Sequence, residues 1–417
     1  MSTIAPFRAV RPRPELASQV AAPPYDVVSL EEARTLAEGN PYSFLRISRA
    51  ELELPEGVDP YSTAVYKRGA DNLKNLIQQG ILEQEKQPLL GVYRQKWGPH
   101  EQIGLVALAS VEEYDRGIIK KHEHTRPVKE ADRVRLIEAH ESQSGPVLLF
   151  CRRTASFEGW LKGVTGTKPD VHFVADDKVE HTVWSVREES IIRQIEKDFR
   201  DIQSLYIADG HHRSAAASRV RAARHNLRKS NERQPEDGFL AVIFPHDQLQ
   251  ILPYNRVVRD LHGLSPSKFV EAVTRHFDLQ SVTLPGAPPP LGFDMYLENR
   301  WHRATPKLSE EQLAELQSDP VRALAVSVLT ERVLDPLLSI TDQRSDPRIE
   351  FVGGVRGPEP LAAMVDRGDC SVAFWLYPTT VDELMAVSDA GCVMPPKSTW
   401  FEPKLRDGLF VHMLCDE

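Results

Sequence analysis

The segment Asp209–Arg213 reads Asp-Gly-His-His-Arg and concentrates side chains suited to bind a phosphate group. It follows an apolar stretch, Leu205–Ala208, that is typical of a short buried strand, and it precedes an alanine-rich helix predicted to begin at Ser214. Gly210 allows a tight turn, so the first N–H groups of the helix would point at one spot that attracts an anion. Arg213 adds a planar pair of donors that matches phosphate oxygens. The pattern predicts a phosphate-binding turn.

The other side chains of this turn suggest metal-assisted chemistry. His211 and His212 can donate hydrogen bonds or carry positive charge near neutral pH, whereas Asp209 alone would repel a phosphate. The carboxylate makes sense if Mg²⁺ bridges it to the phosphate, which makes Asp209 the candidate metal ligand. Zinc fits less well, because adjacent histidines point in different directions and no cysteine or H-E-x-x-H partner is near. An alternative stays open, in which the basic residues only cap a helix and pair with surface acids.

Pro23–Val27, with the sequence Pro-Pro-Tyr-Asp-Val, presents a second carboxylate on a rigid segment. The two prolines fix the backbone just before Tyr25 and Asp26. Asp26 could therefore serve as a general base or a metal ligand, with Tyr25 beside it in the binding site. Alternatively, the segment is an ordinary turn that places Asp26 near the N-terminus of the next helix.

A charged segment, Lys121–Arg133, carries further candidates. His122, Glu123 and Lys129 together could bind phosphate or accept a proton. The zinc-protease spacing H-E-x-x-H fails, because Arg126 stands where the second histidine would be. A run of charged residues is also typical of a solvated surface, and that interpretation stays open.

Near the C-terminus, Met394–Lys404 combines lysines and hydroxyl side chains with stiffening prolines. Lys397, Ser398 and Thr399 could close over an anionic ligand, and Lys404 would add a further positive charge. The alternative is a surface loop of turn residues. The chain contains no Walker A loop, no G-x-S-x-G elbow and no G-x-G-x-x-G fingerprint, so the common nucleotide and hydrolase motifs are excluded.

The composition excludes several classes of protein. The 417 residues include 51 basic and 60 acidic side chains, for a net charge of −9, so a basic surface for nucleic acid is absent overall. Four widely spaced cysteines make a disulfide framework or a zinc ribbon a poor fit. No apolar run approaches the roughly 20 residues that span a bilayer, and no signal-peptide pattern is present. We therefore expect a cytoplasmic protein with neither nucleic acid nor membrane as a partner.

Strand-like and helix-like segments alternate along the chain, but several strands are adjacent. Leu89–Trp97 and Ile103–Val111, for example, predict a hairpin across Gly98-Pro99. This order favours an α+β (mixed α/β) fold over a doubly wound parallel sheet. We expect two regions: residues 1–265 as the phosphate-binding catalytic region, and residues 266–417 as a C-terminal α/β region that packs on the first and completes the site.

Together, the four motifs resemble those of the DUF1015 family, in the family's order and over nearly the whole chain. The Asp-Gly-His-His-Arg segment is similar to the phosphate-binding turn of the ParB/sulfiredoxin superfamily, which includes free-serine kinases with the turn Asp-Gly-His-x-Arg. The resemblance implies a ParB/sulfiredoxin-like core with a mixed sheet and large additional α/β elements. It also implies a small-molecule phosphotransferase, specifically a kinase that phosphorylates free L-serine with pyrophosphate or a nucleotide as donor.

The resemblance also implies roles for individual residues. Asp209 would be the catalytic or Mg²⁺-linked acid, and the transferred phosphoryl group would be held by the residues that follow it: Gly210, His211, His212 and Arg213. The base that takes the hydroxyl proton, Asp26 or Glu123, is not carried over from a motif. The expected partners are a serine-like substrate and a phosphate donor, with Mg²⁺ as cofactor, and the formation of a homodimer is left open.

Two other functions are considered beside the kinase. One is a ParB-like nucleotide-binding regulatory module without small-molecule turnover. The other is a sulfiredoxin-like repair enzyme, which would need a reactive thiol beside the phosphate turn. No cysteine lies near Arg213 in the sequence, so the repair enzyme is the weakest of the three.

Overall fold

The computed structural model describes residues 2–227, 233–286 and 288–415. The chain forms two compact units, the first made of Met1–Leu249 with Pro403–Glu417 and the second of Gln250–Glu402. The sequence placed a boundary at residue 265, whereas the units divide at residue 249. The difference arises because the short strands after residue 249 pair with strands far ahead in the chain, and local sequence patterns do not reveal such pairing.

Strands and helices alternate as a mixed α/β protein. The strands are β1 (Ile4–Ala5), β2 (Val10–Pro12), β3 (Leu82–Gln84), β4 (Leu90–Trp97), β5 (His100–Ser110), β6 (Ile119–Lys120), β7 (Ser142–Gln143), β8 (Val147–Cys151), β9 (Val171–Val174), β10 (Glu180–Val186), β11 (Leu205–Asp209), β12 (Gly238–Pro245), β13 (Gln250–Leu252), β14 (Tyr254–Val258), β15 (Phe277–Val282), β16 (Phe293–Leu297), β17 (Arg300–Pro306), β18 (Ile349–Gly353), β19 (Val372–Leu376), β20 (Trp400–Glu402) and β21 (His412–Met413).

The α-helices are α1 (Ala17–Val20), α2 (Leu30–Ala37), α3 (Leu45–Ser48), α4 (Thr63–Gln78), α5 (Val111–Asp115), α6 (Pro127–His140), α7 (Ala155–Thr165), α8 (Glu189–Arg200), α9 (His211–Leu227), α10 (Pro266–Thr274), α11 (Glu310–Gln317), α12 (Ala325–Leu329), α13 (Asp335–Leu338), α14 (Glu359–Asp366) and α15 (Val381–Asp389). In the described parts of the chain, none of them combines the length and the apolar character that crossing a membrane requires.

The first unit is built on a nine-stranded mixed sheet with the order β6-β11-β8-β12-β5-β4-β10-β9, and β1 pairs with β5. The predicted hairpin is confirmed, since β4 and β5 pair antiparallel across Gly98. β8 runs parallel to β12 but antiparallel to β11, which makes the sheet mixed. One face of the sheet is apolar and packs against α7 and α8, through Phe157, Ile195 and Phe199 among others.

The last residues of the chain also contact the sheet of the first unit. The carbonyl of Lys404 accepts a hydrogen bond from the Gln95 amide at 2.8 Å. Phe410 occupies the space left by Gly91, where a Cβ atom would lie 2.7 Å from its ring. The backbone of Asp407 exchanges two hydrogen bonds with Ala22, of 2.9 and 3.1 Å. This segment therefore lies beside the Pro-Pro-Tyr-Asp motif that begins one residue after Ala22.

The second unit has its own six-stranded sheet, with the order β15-β17-β16-β19-β14-β18. All its neighbouring strands run antiparallel, and among them only β16 and β17 are joined by a short connection. A small apolar core forms between this sheet and α14, around Leu361 and Ala373.

Candidate phosphate-binding site

The Asp209–Arg213 turn adopts the predicted strand–turn–helix form. β11 ends at Asp209, α9 begins at His211, and Gly210 between them has a φ of +102°. A Cβ atom on Gly210 would lie 3.2 Å from Arg213 Nε and 3.3 Å from the Cα of Val147. Both the positive φ and this close approach require glycine. The turn therefore brings the N-terminus of a long helix to the end of the sheet.

Arg213 is largely buried and is fixed within this turn. One of its terminal nitrogens lies 3.2 Å from Asp209 Oδ2, and the other donates to the carbonyl of Pro146. Burial lowers the pKa of Arg213, but Asp209, Asp26 and Asp407 raise it, and the net effect leaves the pKa above its ordinary value. The guanidinium is therefore a permanent positive charge whose surroundings are rich in carboxylates.

A second cation approaches the same carboxylate. Lys404 Nζ lies 3.8 Å from Asp209 Oδ2, and its side chain is largely buried. Asp209 thus has Arg213 on one side and Lys404 on the other. With two cations close by, the carboxylate no longer makes the helix N-terminus repulsive to a phosphate.

His211 and His122 form a buried pair whose ring centroids are 4.5 Å apart at 90°. His211 Nε2 accepts a weak hydrogen bond of 3.5 Å from the backbone N–H of His122. Burial lowers the pKa of His122 to about 4, and it holds the pKa of His211 well below its ordinary value. Of the two states that the sequence allowed for His211, the neutral one is therefore present at pH 7.

His212 contacts the same segment of chain. Its Nε2 accepts a hydrogen bond of 3.0 Å from the backbone N–H of Arg126. An accepting Nε2 has no proton, so His212 is also neutral in this arrangement. Together, His211 and His212 attach the segment from His122 to Arg126 to the start of α9, which brings two of the sequence motifs into contact.

The Pro-Pro-Tyr-Asp motif lies beside a second buried arginine. Arg133, on α6, places its guanidinium carbon 3.7 Å from the centre of the Tyr25 ring. It also binds Asp132 through two hydrogen bonds of 3.0 and 2.6 Å, and the hydroxyl of Tyr66 donates to the same carboxylate at 2.8 Å. Burial raises the pKa of Tyr25 to about 12, against the opposing effect of Arg133. The phenol is therefore neutral at pH 7.

Asp26 follows Tyr25 on an exposed turn that is closed by a 3.2 Å hydrogen bond from the N–H of Val27 to the carbonyl of Pro24. Its charge acts on both buried arginines and contributes to the raised pKa of each. An exposed carboxylate beside a fixed cation is accessible to a substrate and is able to accept a proton.

Asp407 is a buried carboxylic acid that completes the group. Its Oδ1 has no hydrogen-bond partner among the described residues. Burial raises its pKa to about 7, opposed by Arg213 and Arg133 and reinforced by Asp26. A small cavity of about 30 Å³, enough for about two water molecules, is lined by residues that include Tyr25, Arg133, Arg213 and Asp407. Residues from four distant parts of the chain therefore meet at one point.

The other predicted residues have different surroundings. Glu123 is half-buried and directly follows His122, whereas Lys129 is exposed on the first turn of α6, with its ammonium 5.7 Å from the Tyr61 ring centre. Lys397, Ser398 and Thr399 belong to the second unit. The part that these residues play in binding phosphate stays a prediction.

Hydrogen bonds within the second unit hold the loop that carries Lys397. Arg256, fully buried, donates to the carbonyl of Pro396 at 2.8 Å, and Ser398 Oγ donates to the carbonyl of Pro395 at 2.7 Å. Lys397 has a φ of +56° and is exposed, with its ammonium 5.4 Å from the Tyr254 ring centre. The loop is therefore an ordered segment that presents one lysine to solvent.

Residues 4–327 match the family model described as a protein of unknown function (DUF1015). The chain belongs to the DUF1015 family. The match includes the first three motifs of the sequence and ends before the fourth, so Lys404 and Asp407 lie outside it. A search of curated proteins found no match to this DUF1015 chain.

Several solved structures are distantly similar to this DUF1015 protein. A conserved hypothetical protein from Pyrococcus furiosus is 16% identical, with 74% of this chain and 95% of that chain covered and a TM-score of 0.34. A free serine kinase in complex with AMP is 14% identical, with coverage of 73% and 91% and a TM-score of 0.34. SbnI from Staphylococcus aureus, truncated at its C-terminus, is 13% identical, with coverage of 74% and 87% and a TM-score of 0.37.

Sequence reasoning about this DUF1015 protein missed two members of the cluster, Arg133 and Asp407. Arg133 lies within a charged run and has no distinguishing neighbour. Asp407 stands three residues after Lys404, and its partner Arg213 is almost 200 positions earlier. The one available signal was an acid that precedes the apolar run Leu409–Val411, and it does not indicate which residue the acid contacts.

Proposed function

We propose that this protein is a small-molecule phosphotransferase that transfers a phosphoryl group to the hydroxyl of free L-serine, with pyrophosphate or a nucleotide as donor. The observation that carries the proposal is the arrangement around Gly210. There a helix N-terminus, the buried Arg213 and Lys404 surround one carboxylate. Phosphoryl transfer depends mainly on positioning and on neutralising the phosphate charge, and this set of groups supplies both.

Arg213 and the first N–H groups of α9 would hold the transferred phosphoryl group, and Lys404 would neutralise a second phosphate oxygen. The buried His211 and its neighbour His212, which each accept a backbone N–H, would position the segment from His122 to Arg126 against the turn. In this role the histidines act through hydrogen bonds and add no charge.

We propose Mg²⁺ as cofactor, with Asp209 as its ligand from the protein. No group of three or more His, Cys, Asp or Glu side chains that could hold a metal occurs among the described residues. A single carboxylate suits Mg²⁺ that arrives with the phosphate donor, because Mg²⁺ keeps several waters and commonly binds through one or two carboxylates plus substrate phosphates. When bound, the ion would neutralise charge on the phosphate oxygens.

We assign the base that takes the hydroxyl proton to Asp26, with Glu123 as the second candidate. Asp26 is exposed, stands on a turn fixed by two prolines, and acts electrostatically on Arg213. A hydroxyl placed between Asp26 and the phosphoryl group held by Arg213 would lose its proton to the carboxylate as the new oxygen–phosphorus bond forms. The bond between that phosphorus and the bridging oxygen of the donor would break at the same time, and the donor would leave as phosphate, ADP or AMP.

The test is to incubate the protein and Mg²⁺ with L-serine and pyrophosphate, ATP or ADP in turn, and to follow phosphoserine by phosphorus NMR. Asp209→Asn should lower turnover on the order of 100-fold or more, because it removes the carboxylate at the phosphate. Asp71→Asn, an exposed carboxylate on α4, is the matched control and should leave turnover unchanged.

Two further comparisons decide between the alternatives. Asp26→Asn and Glu123→Gln separate the two candidate bases, since only the true base should show a large loss. Absence of phosphoserine with every donor would refute the kinase. Nucleotide binding without any transfer would instead favour a ParB-like regulatory module.

A further inference from the structure

A groove in the first unit lies away from the phosphate turn and has two chemically different ends. One end is a charged cleft of about 790 Å³ beside β2 and β3. The other is an apolar pocket of about 620 Å³ between α7 and α8. Arg187, one residue after β10, lines both, and Thr167 of the pocket is followed in the chain by Lys168 of the cleft. The two pockets are therefore adjacent, and together they are called the groove below.

The strand register separates this groove from the phosphate turn. Ser185, which lines the apolar pocket, stands in the same row across the sheet as Asp209, with one residue on each of the four strands between them. Five steps between neighbouring strands, at roughly 4.8 Å each, amount to about 24 Å. The groove is therefore a different site from the one around Gly210.

The charged end holds a closed set of ion pairs. Arg11 Nη1 lies 3.2 Å from Glu85 and 3.6 Å from Asp170, and Arg187 approaches the same two carboxylates at 2.8 and 3.9 Å. Two arginines thus share two acids. The carboxylates that line the cleft at this point are neutralised by residues of the protein itself.

Positive charge remains once these pairs are counted. Arg13 also lines the cleft but is paired with Glu15 at 3.7 Å, which leaves Lys86 and Lys168 against one further acid, Glu83. Lys86 and Lys168 are exposed, and neither makes a salt bridge to another described residue. In a chain with a net charge of −9, a cleft with a cationic excess favours an anionic ligand.

Arg11 is the fixed element of the cleft. Only 9% of its side chain is exposed, it donates to Ser185 Oγ at 2.5 Å, and it lies over the Phe410 ring at 4.9 Å. Its Nε is buried and has no acceptor among the described residues. A held guanidinium with a spare donor loses little entropy when an anion binds.

The apolar end has an unsatisfied donor of its own. Trp160, with Val164, Ile191 and Ile195, lines the pocket, and its indole Nε1 is buried without an acceptor in the described chain. Trp184 nearby shows the usual arrangement, since its Nε1 donates to the carbonyl of Thr167 at 3.0 Å. A buried indole N–H normally finds a partner, so a ligand that enters here should carry an acceptor on an apolar or aromatic body.

We propose that this groove is a second ligand site that binds a nucleoside phosphate, with the phosphate on Arg187, Lys86 and Lys168 and the base against Trp160. The base supplies both the ring that packs in the apolar pocket and an acceptor for the indole N–H. The phosphate supplies the negative charge that the cleft favours. This assignment does not depend on the reaction at the Gly210 turn.

The test is calorimetric titration of the full chain with AMP, inorganic phosphate and adenosine. The double variant Lys86→Ala/Lys168→Ala should bind AMP about tenfold more weakly, because each lysine contributes a charge-assisted contact. Trp160→Phe keeps the ring and removes the N–H, and should weaken AMP and adenosine roughly threefold to tenfold while leaving phosphate unchanged. Lys268→Ala, an exposed lysine of the second unit, should change nothing.

AMP could also enter the phosphate turn, so Arg213→Met is titrated in parallel. Binding that persists in Arg213→Met and weakens in the groove variants supports the proposal. The proposal is overturned if AMP does not bind at all, or if Arg213→Met abolishes binding that the groove variants leave intact.

Discussion

Replacing Asp407 with asparagine tests whether the cluster of charged residues beside the Asp209–Arg213 turn has the electrostatics that the structure indicates. Asp407 is buried beside Arg213 and Arg133, and burial raises its pKa from the usual 3.8 to about 7. An acid whose pKa is higher in the folded state holds its proton more tightly there. Its contribution to stability is therefore fully present below pH 3.8 and is lost as the pH rises through 7.

The size of the effect follows from the two pKa values. They differ by about 3, and each pKa unit corresponds to 1.36 kcal/mol, so the folded state loses on the order of 4 kcal/mol between low and neutral pH. About two of these pKa units lie between pH 5 and pH 7. The asparagine variant cannot titrate at this position. Relative to it, the parent protein should lose about 3 kcal/mol of unfolding free energy between pH 5 and pH 8.5.

The assay is urea unfolding of parent and variant at half-unit intervals from pH 5 to pH 8.5, followed by circular dichroism. The quantity of interest is the change with pH of the difference between the two proteins, so any constant cost of the amide cancels. Asp71→Asn, on the exposed face of α4, should differ from the parent by a constant amount. A pH-independent difference for Asp407→Asn would refute the assigned protonation of this acid.

Three further substitutions have expected outcomes. Gly210→Ala should destabilise the protein by about 1–3 kcal/mol in urea unfolding, because its φ is +102°, whereas Gly159→Ala, with open space around it, should not destabilise. Tyr66→Phe should cost roughly 1.5–3 kcal/mol in the same assay, since it leaves the buried Asp132 carboxylate without a 2.8 Å hydrogen bond. Lys404→Ala should raise the KM for the phosphate donor several-fold while circular dichroism remains unchanged, and an unaltered KM would exclude its contact with phosphate.

Local sequence patterns predicted the elements whose determining residues lie close together in the chain. The β4–β5 hairpin follows from two alternating apolar runs around Gly98, and the strand–turn–helix at Gly210 follows from an apolar run, a glycine and alanines. In both cases the residues that determine the structure lie within about ten positions of the glycine at the turn. The sheet order is different, because it places β8 between β11 and β12, and no local pattern encodes that neighbour relation.

The two histidines show that burial and hydrogen bonding determine what the residues of a motif can do. In the sequence, His211 and His212 are two adjacent bases next to an arginine, which suggests positive charge for a phosphate. In the structure each uses Nε2 to accept a backbone N–H from the segment that begins at His122. Burial then keeps His211 neutral. Sequence alone cannot tell these roles apart, because the pKa of a histidine depends on desolvation and on partners that are distant in the chain.

Part of the positive charge at the candidate site comes from a residue that is distant in the sequence. Arg213 belongs to the motif, but Lys404 reaches Asp209 only because the last residues of the chain return to the first sheet. The same return places Asp407 against Arg213 and pairs its backbone with Ala22, next to the segment that carries Asp26. Two backbone hydrogen bonds between Ala22 and Asp407 therefore hold together a candidate base and the acid beside Arg213. A substitution that weakens these two hydrogen bonds should alter the positions of Asp26 and Asp407 together. No single motif of the sequence would indicate this coupling.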